Sequence, residues 1–143
     1  MKIIIVGCGK VGTSLAERLS QEGHDLVLVD LSAEKIDDVS SRFDAMGIVG
    51  NGASFTVQTE AGVEDADLFI AVTGADELNL LCCLIAKKAG RCQTIARVRN
   101  PMYSKEISFI REKLGISMII NPELTTAREI LKLLKFPPAI KID

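Results

Sequence analysis

Short β-branched runs alternate along the chain with longer stretches whose apolar residues recur every three or four positions. Lys2–Val6 (KIIIV) has the length and Ile/Val content of a buried strand. From Lys10 to Glu22 the apolar residues Val11, Leu15 and Leu19 keep helical spacing, and Gly23 marks the stop. Asp25–Val29 predicts a second strand, after which Ser32 caps a helix carrying Ile36, Val39 and Phe43. Ala45–Val49 predicts the third strand, Gly50-Asn51-Gly52 a turn, and Ser54 to Ala61 a short helix. The second half repeats the scheme. Strands are predicted over Asp67–Val72, Gln93–Val98 and Ser117–Ile120, and helices over Asp76–Lys88, Tyr103–Leu114 and Glu123–Lys135. Pro122 suits the start of the last helix, where a missing N–H costs no intrahelical bond. In the fourth helix Leu80, Leu81 and Leu84 form an apolar stripe that reads as core.

This alternation predicts an α/β fold. It is a Rossmann-type doubly wound parallel sheet of six strands, order 3-2-1-4-5-6, with helices on both faces. At 143 residues the chain fits one domain, read here as residues 1–135. The tail 136–143 (FPPAIKID) stops the last helix and then alternates again, as the start of a linker or of a truncated C-terminal lobe. On that last helix Leu124, Ala127, Ile130, Leu131 and Leu134 form a stripe, for packing on the chain's own sheet or for a dimer contact.

The first βα junction carries Gly7-Cys8-Gly9-Lys10-Val11-Gly12, a complete G-x-G-x-x-G between a predicted strand and a predicted helix. In such a turn the first glycine permits the tight bend and the second lets backbone N–H groups approach a pyrophosphate. The third lets helix and sheet pack closely. The anion then sits at the positive end of the helix. A tight turn that binds nothing is the plainer alternative. Asp30 closes the second strand, eighteen residues after Gly12, where a carboxylate can accept hydrogen bonds from both ribose hydroxyls of an adenosine. A 2′-phosphate would meet like-charge repulsion there, which favours NAD or ATP/ADP over NADP. Alternatively, Asp30 only begins the turn before the second helix.

Leu31 and Lys35 follow on the same lip, with Lys35 read as a solvated helix lysine. Ligands of this architecture bind outside the carboxyl ends of the strands. That brings in Asn51, Gly52 and Ala53 after strand three, as an adenine wall or as an ordinary polar turn. It also brings in Thr73 and Gly74 after strand four. Thr73 has the chemistry to cap the next helix, whose first turn holds Asp76 and Glu77. Arg97 and Arg99 stand two apart, so an extended segment sends both guanidiniums to one side, to hold a phosphate or to make surface ion pairs.

Composition narrows the function by exclusion. An apolar fraction of 48% and a charged fraction of 25% describe a globular chain, not a disordered one. No apolar run approaches the ~20 residues of a membrane span, and MKIIIVG is too short for a signal peptide. A soluble, cytoplasmic protein with no direct membrane insertion is expected. A net charge of −2 and the absence of Trp argue against a nucleic-acid partner. Residues 1–74 hold five Lys/Arg against twelve Asp/Glu, whereas residues 75–143 hold twelve against seven, so anion contacts are best sought in the second half beside the glycine turn.

Cys8, Cys82, Cys83 and Cys92 form no C-x-x-C pair and read as buried thiols, with no metal site expected. His24 precedes strand two, at the edge away from the predicted cleft. No Tyr-x-x-x-Lys, G-x-S-x-G or G-x-x-x-x-G-K-[ST] motif occurs, so no catalytic residue is expected.

Six segments then carry a resemblance. KIIIVGCGKVG, VLVD at 27–30, GNGAS at 50–54, DADLFIAVTGADELNLLCCLIAKK at 65–88, ARVRNPMY at 96–103 and INPELTTA at 120–127 together resemble the RCK (KTN) domain family. In particular the chain is similar to the N-terminal half of the cytosolic regulatory subunit of Trk-type potassium uptake systems. The resemblance implies a non-enzymatic domain that binds NAD(H) or ATP/ADP and controls gating of a Trk/Ktr-type potassium transporter. It further implies a homodimer, usually within an octameric ring, held at the inner face of the cell membrane by the membrane potassium transporter subunit.

By position it implies ligand contacts at Gly7, Cys8, Gly9, Lys10, Val11, Asp30, Asn51, Gly52, Ala53, Thr73, Gly74 and Arg97, with backbone contacts only from Cys8 and Lys10. Two other readings stay open on the residues: the coenzyme-binding domain of an NAD-dependent dehydrogenase, and the RCK domain of a potassium channel or efflux system.

Overall fold

A computed structural model of the protein describes residues 1–121. The apolar runs become six parallel strands, β1 (Lys2–Val6), β2 (Asp25–Asp30), β3 (Met46–Val49), β4 (Leu68–Ala71), β5 (Gln93–Arg97) and β6 (Met118–Ile120). They form one sheet in the expected order, β3-β2-β1-β4-β5-β6. Between them lie α1 (Lys10–Gln21), α2 (Ala33–Phe43), α3 (Phe55–Glu60), α4 (Asp76–Ala89), α5 (Pro101–Ser104) and α6 (Ile107–Leu114). Val6 stands opposite both Val29 and Ala71, so the carboxyl ends of β2, β1 and β4 finish together at one edge of the sheet.

Side chains alternate across a strand, and here both faces are covered, which is why the strands read as unbroken apolar runs. Ile3, Ile5, Leu26 and Leu28 point to one side, where they meet Leu15 and Leu19 of α1 and Ile36 and Val39 of α2. Ile4, Val6, Val27 and Phe69 point to the other, against Cys82, Cys83 and Ala86 of α4 and Ile110 of α6.

Three expectations change. The predicted helix from Tyr103 to Leu114 is two helices. Asn100 caps α5 by accepting the Met102 N–H, Pro101 opens it, and Glu106 leaves helical geometry at φ −118°, ψ 13° before α6 begins. The inner face of α4 is not its leucine stripe. Asn79, Cys82, Cys83 and Ala86 are buried, whereas Leu81 is 46% exposed and Leu80 and Leu84 are only half-buried. The helix lies too close to β5 for leucines, with the Cys83 Sγ 3.4 Å from the Ile95 carbonyl oxygen, and close-packed interiors admit only side chains that fit the gap. Finally, β2 extends through Asp30, which ties that carboxylate to the end of the sheet. Elsewhere the predicted bounds hold to within one residue at each end.

All four cysteines are free and buried. No helix among the described residues is long and apolar enough to cross a membrane. The predicted helix Glu123–Lys135 with its apolar stripe, and the tail 136–143, lie outside the described residues.

Candidate functional site

The glycine turn is built by contact. Gly7 has φ +107°, a left-handed geometry, and a Cβ there would lie 2.9 Å from the Val72 carbonyl carbon and oxygen. The Gly7 N–H donates to the Val29 carbonyl at 2.8 Å, which locks the turn to β2. A Cβ on Gly12 would run into the carbonyl oxygen of Gly7, so α1 can approach the turn only because this position has no side chain. Gly9 is the N-cap of α1, with no side-chain cap and open space where its Cβ would be. The first amides of the helix have no partner within the helix and carry the positive end of its dipole. That combination suits an anion.

Asp30 joins two turns. Its Oδ2 accepts the Cys8 N–H at 2.7 Å, and its Oδ1 accepts the Ser32 N–H at 2.8 Å. The carboxylate therefore does begin the turn into α2, and it also braces the glycine turn from the side. Each oxygen keeps acceptor capacity for a further donor. Burial, with the Asp30 carboxylate adding to it, pushes the Cys8 thiol up from 9.0 to about 11, so this side chain stays a neutral core thiol. Only its backbone N–H works at the site.

The flanking loops are held from below. Asn51 Oδ1 accepts the Ala53 N–H at 2.8 Å, an Asx turn that leads into the Ser54 cap of α3. A Cβ on Gly52 would overlap the Val6 side chain, so this loop rests directly on β1. Gln58, 1% exposed, donates to the Gly52 carbonyl at 2.8 Å and to the Cys82 carbonyl at 3.0 Å. Thr73 does not cap α4, whose N-cap is Ala75 without a side-chain bond. Its hydroxyl instead donates to Asn79 Oδ1 at 2.7 Å. Arg97 Nη1 donates to the Thr73 carbonyl at 3.3 Å.

These ends enclose a cleft of about 360 Å³, within the range of small-molecule sites. Of the residues expected from the sequence, Gly7, Gly9, Asp30, Asn51, Gly52, Thr73, Gly74 and Arg97 line it. Four do not. Cys8 is buried, Lys10 is exposed at the start of α1, Val11 packs on the core beneath α1, and Ala53 packs on the core of the opposite face. Arg99 is also absent from the cleft. β5 ends at Arg97, the two-residue alternation stops there, and the Arg99 N–H goes to Asp76 Oδ1 at 3.0 Å. Lys35, expected to be merely solvated, lines the cleft, as do Leu31 and Leu78. Leu78 left no local signal, because a leucine in a first helical turn looks like any core residue. Among the described residues no group of three or more His, Cys, Asp or Glu could hold a metal ion.

The TrkA-N domain pattern matches residues 3–122. This chain belongs to the TrkA-N domain family. It is 41% identical over 142 residues to the Trk system potassium uptake protein TrkA homolog of Archaeoglobus fulgidus, covering 99% of this chain and 32% of that protein. It is 39% identical over 144 residues to the Trk system potassium uptake protein TrkA of Halomonas elongata, with the same coverage. The chain thus spans about a third of the length of these two relatives.

Among solved structures, the TrkA-N domain of the inner membrane protein ybaL from Escherichia coli superposes with a TM-score of 0.76 at 25% identity, covering 93% of this chain and 96% of that one. The GsuK channel bound to NAD (TM-score 0.70, 19% identity, 83% of this chain and 21% of that one) shares the fold. So does the Shewanella denitrificans Kef CTD in AMP-bound form (TM-score 0.70, 23% identity, 94% and 82%).

Proposed function

We propose that this TrkA-N domain is a regulatory module that binds an adenosine nucleotide, NAD(H) or ATP/ADP, and through it controls a Trk-type potassium transporter. The observation that carries the reading is the Asp30 carboxylate. It is anchored to the glycine turn through the Cys8 N–H, lines the cleft, and keeps an acceptor position on each oxygen for a ribose hydroxyl. Phosphates then lie at the start of α1, against the Gly7–Gly9 backbone and the amides of Lys10 and Val11. Adenine lies toward Asn51 and Gly52. Thr73, Gly74 and Arg97 face the far end of the ligand, where a second phosphate would meet the guanidinium.

The names of the relatives support the transport role, and two fold neighbours were solved with NAD or AMP bound. A binding role without catalysis is favoured by the ionisable side chains that line the cleft. They are Asp30, Lys35 and Arg97. The one carboxylate already receives two backbone N–H groups, a poor setting for a general base. The partner is a membrane potassium transporter subunit contacted at the cytoplasmic face, with the domain acting as a homodimer or within a ring. Regulation then requires that the nucleotide bind two states of that assembly with different affinity, typically a difference of about 1–3 kcal/mol.

Mass spectrometry of the purified protein, followed by calorimetry with NAD, NADH, ATP, ADP and AMP, tests the binding claim. A retained or titrating adenosine nucleotide is expected. A protein that carries none and gives no binding heat with any of the five at millimolar concentration overturns it.

A further inference from the structure

We infer that Asn79 is a positioning residue of the cleft, one that sets the gap between the loop after β4 and the end of β5 and thereby the hold on the second phosphate of a nucleotide. The inference rests on the nucleotide-binding reading above. Asparagine is a poor helix former, yet this one lies in the first half of α4 and is 0% exposed. All four of its hydrogen-bonding functions are used. Oδ1 accepts the Thr73 N–H at 2.9 Å and the Thr73 hydroxyl at 2.7 Å, while Nδ2 donates to the Thr73 carbonyl at 3.1 Å and the Arg97 carbonyl at 2.9 Å. The orientation of the amide follows from its partners. A backbone N–H can only donate and a carbonyl can only accept, so the group cannot be reversed.

What the amide replaces is a sheet ladder. The pairing of β4 with β5 ends at Ala71 opposite Ala96, one residue short of Arg97 and two short of Thr73. Beyond that point Asn79 bridges the segment after β4 and the end of β5, with Arg97 Nη1 reaching the Thr73 carbonyl across the same gap. On the other half of the cleft a different buried amide does the holding, because Gln58 ties Gly52 to the Cys82 carbonyl of α4. The two halves are therefore held by different side chains, Asn79 and Gln58, although both engage α4, and a defect in one is expected chiefly at its own end of the ligand.

The probes are AMP, which ends at the first phosphate, and ADP, which reaches the second. Asn79→Asp keeps the shape and both accepting contacts but sets an oxygen against two carbonyls. We expect ADP affinity to fall about tenfold or more and AMP affinity to change less than about threefold, the loss of a buried hydrogen-bonded group being confined to that end. Asn79→Ala, where water can enter the gap, should show the same skew at smaller amplitude. Gln58→Met is the comparison for general loosening, since it damages an equally buried support and should weaken AMP and ADP alike.

In the unaltered protein the Asn79 side-chain amide resonances should shift more with ADP than with AMP, a measurement that needs no variant to fold. Equal losses of AMP and ADP in the Asn79 variants, no loss of either, or equal resonance shifts would overturn the assignment. Unaltered protein that binds neither nucleotide would remove the nucleotide reading itself, and this one with it.

Discussion

Replacing Asp30 by alanine removes two kinds of interaction, and the structure separates their sizes. Within the protein it deletes the bonds from the Cys8 N–H at 2.7 Å and the Ser32 N–H at 2.8 Å. Hydrogen bonds to a charged acceptor contribute about 1.5–3 kcal/mol each when buried. Both are only partly buried and water can take over in the variant, so about 1 kcal/mol each, near 2 kcal/mol in all, is the reasonable loss of stability. For a domain of this size that lowers the melting temperature by roughly 8 °C.

Toward an adenosine nucleotide the variant also loses an acceptor for the ribose hydroxyls, about 1–3 kcal/mol or some 5- to 150-fold in affinity. Because the same change loosens the glycine turn, the two contributions must be divided by a double cycle. AMP and 2′-deoxy-AMP are titrated calorimetrically into the unaltered protein and into Asp30→Ala, well below the melting temperature of each. The missing 2′-hydroxyl should weaken binding to the unaltered protein and matter little in the variant. Deoxy-AMP losing the same factor in both proteins, or Asp30→Ala binding AMP undiminished, would show that the carboxylate does not hold the sugar.

Two further outcomes follow from the same geometry. Gly12→Ala, whose new methyl would run into the Gly7 carbonyl, should cost about 1–3 kcal/mol by urea unfolding and weaken nucleotide binding as α1 is pushed off the turn; an unchanged midpoint would refute the close approach. Arg97→Ala should weaken ATP and ADP more than AMP, and equal losses in calorimetry would show that the guanidinium meets no second phosphate.

The thiols predict the alkaline limb of stability. Burial holds Cys8 up to about 11 and Cys82 up to about 12, and it raises Cys83 and Cys92 as well, whereas an unfolded chain ionises its thiols near pH ~8.5. Above that pH the unfolded state sheds protons that the native state keeps. The stabilisation is therefore complete below about pH 8.5 and is lost progressively as the pH rises toward 11 and beyond. Urea midpoints should fall between pH 8 and 10.5 and fall less in a variant with Cys82 and Cys83 both replaced by alanine; identical slopes would refute the assignment.

Much of this molecule is written in short-range pattern. Short runs rich in Ile, Val and Leu, bounded by turn residues, read as strands, and their alternation with amphipathic stretches leaves few right-handed topologies, among them the doubly wound order β3-β2-β1-β4-β5-β6. The glycine turn was equally legible, because Gly12 is demanded by the Gly7 carbonyl within the same motif and Gly7 by its own backbone angle of φ +107°, even though the atoms crowding Gly7 belong to Val72 far along the chain. Asp30 was found through its fixed distance from that motif.

What depended on the third dimension was every decision made between segments far apart in sequence. Leucines of α4 give way to Cys82, Cys83 and Ala86 because the distance from that helix to β5, not hydrophobicity, sets which side chains fit inside. Arg97 enters the cleft and Arg99 leaves it because β5 ends where Asp76 takes the next backbone N–H. Asn79 looks like a surface residue in the string NLLCCLI, and only the strand ends it bridges reveal it as a buried side chain with all four hydrogen-bonding functions in use. Periodicity can report how each segment divides between water and core. It carries no record of which backbone groups, left over where the sheet pairing ends, a buried polar side chain must satisfy.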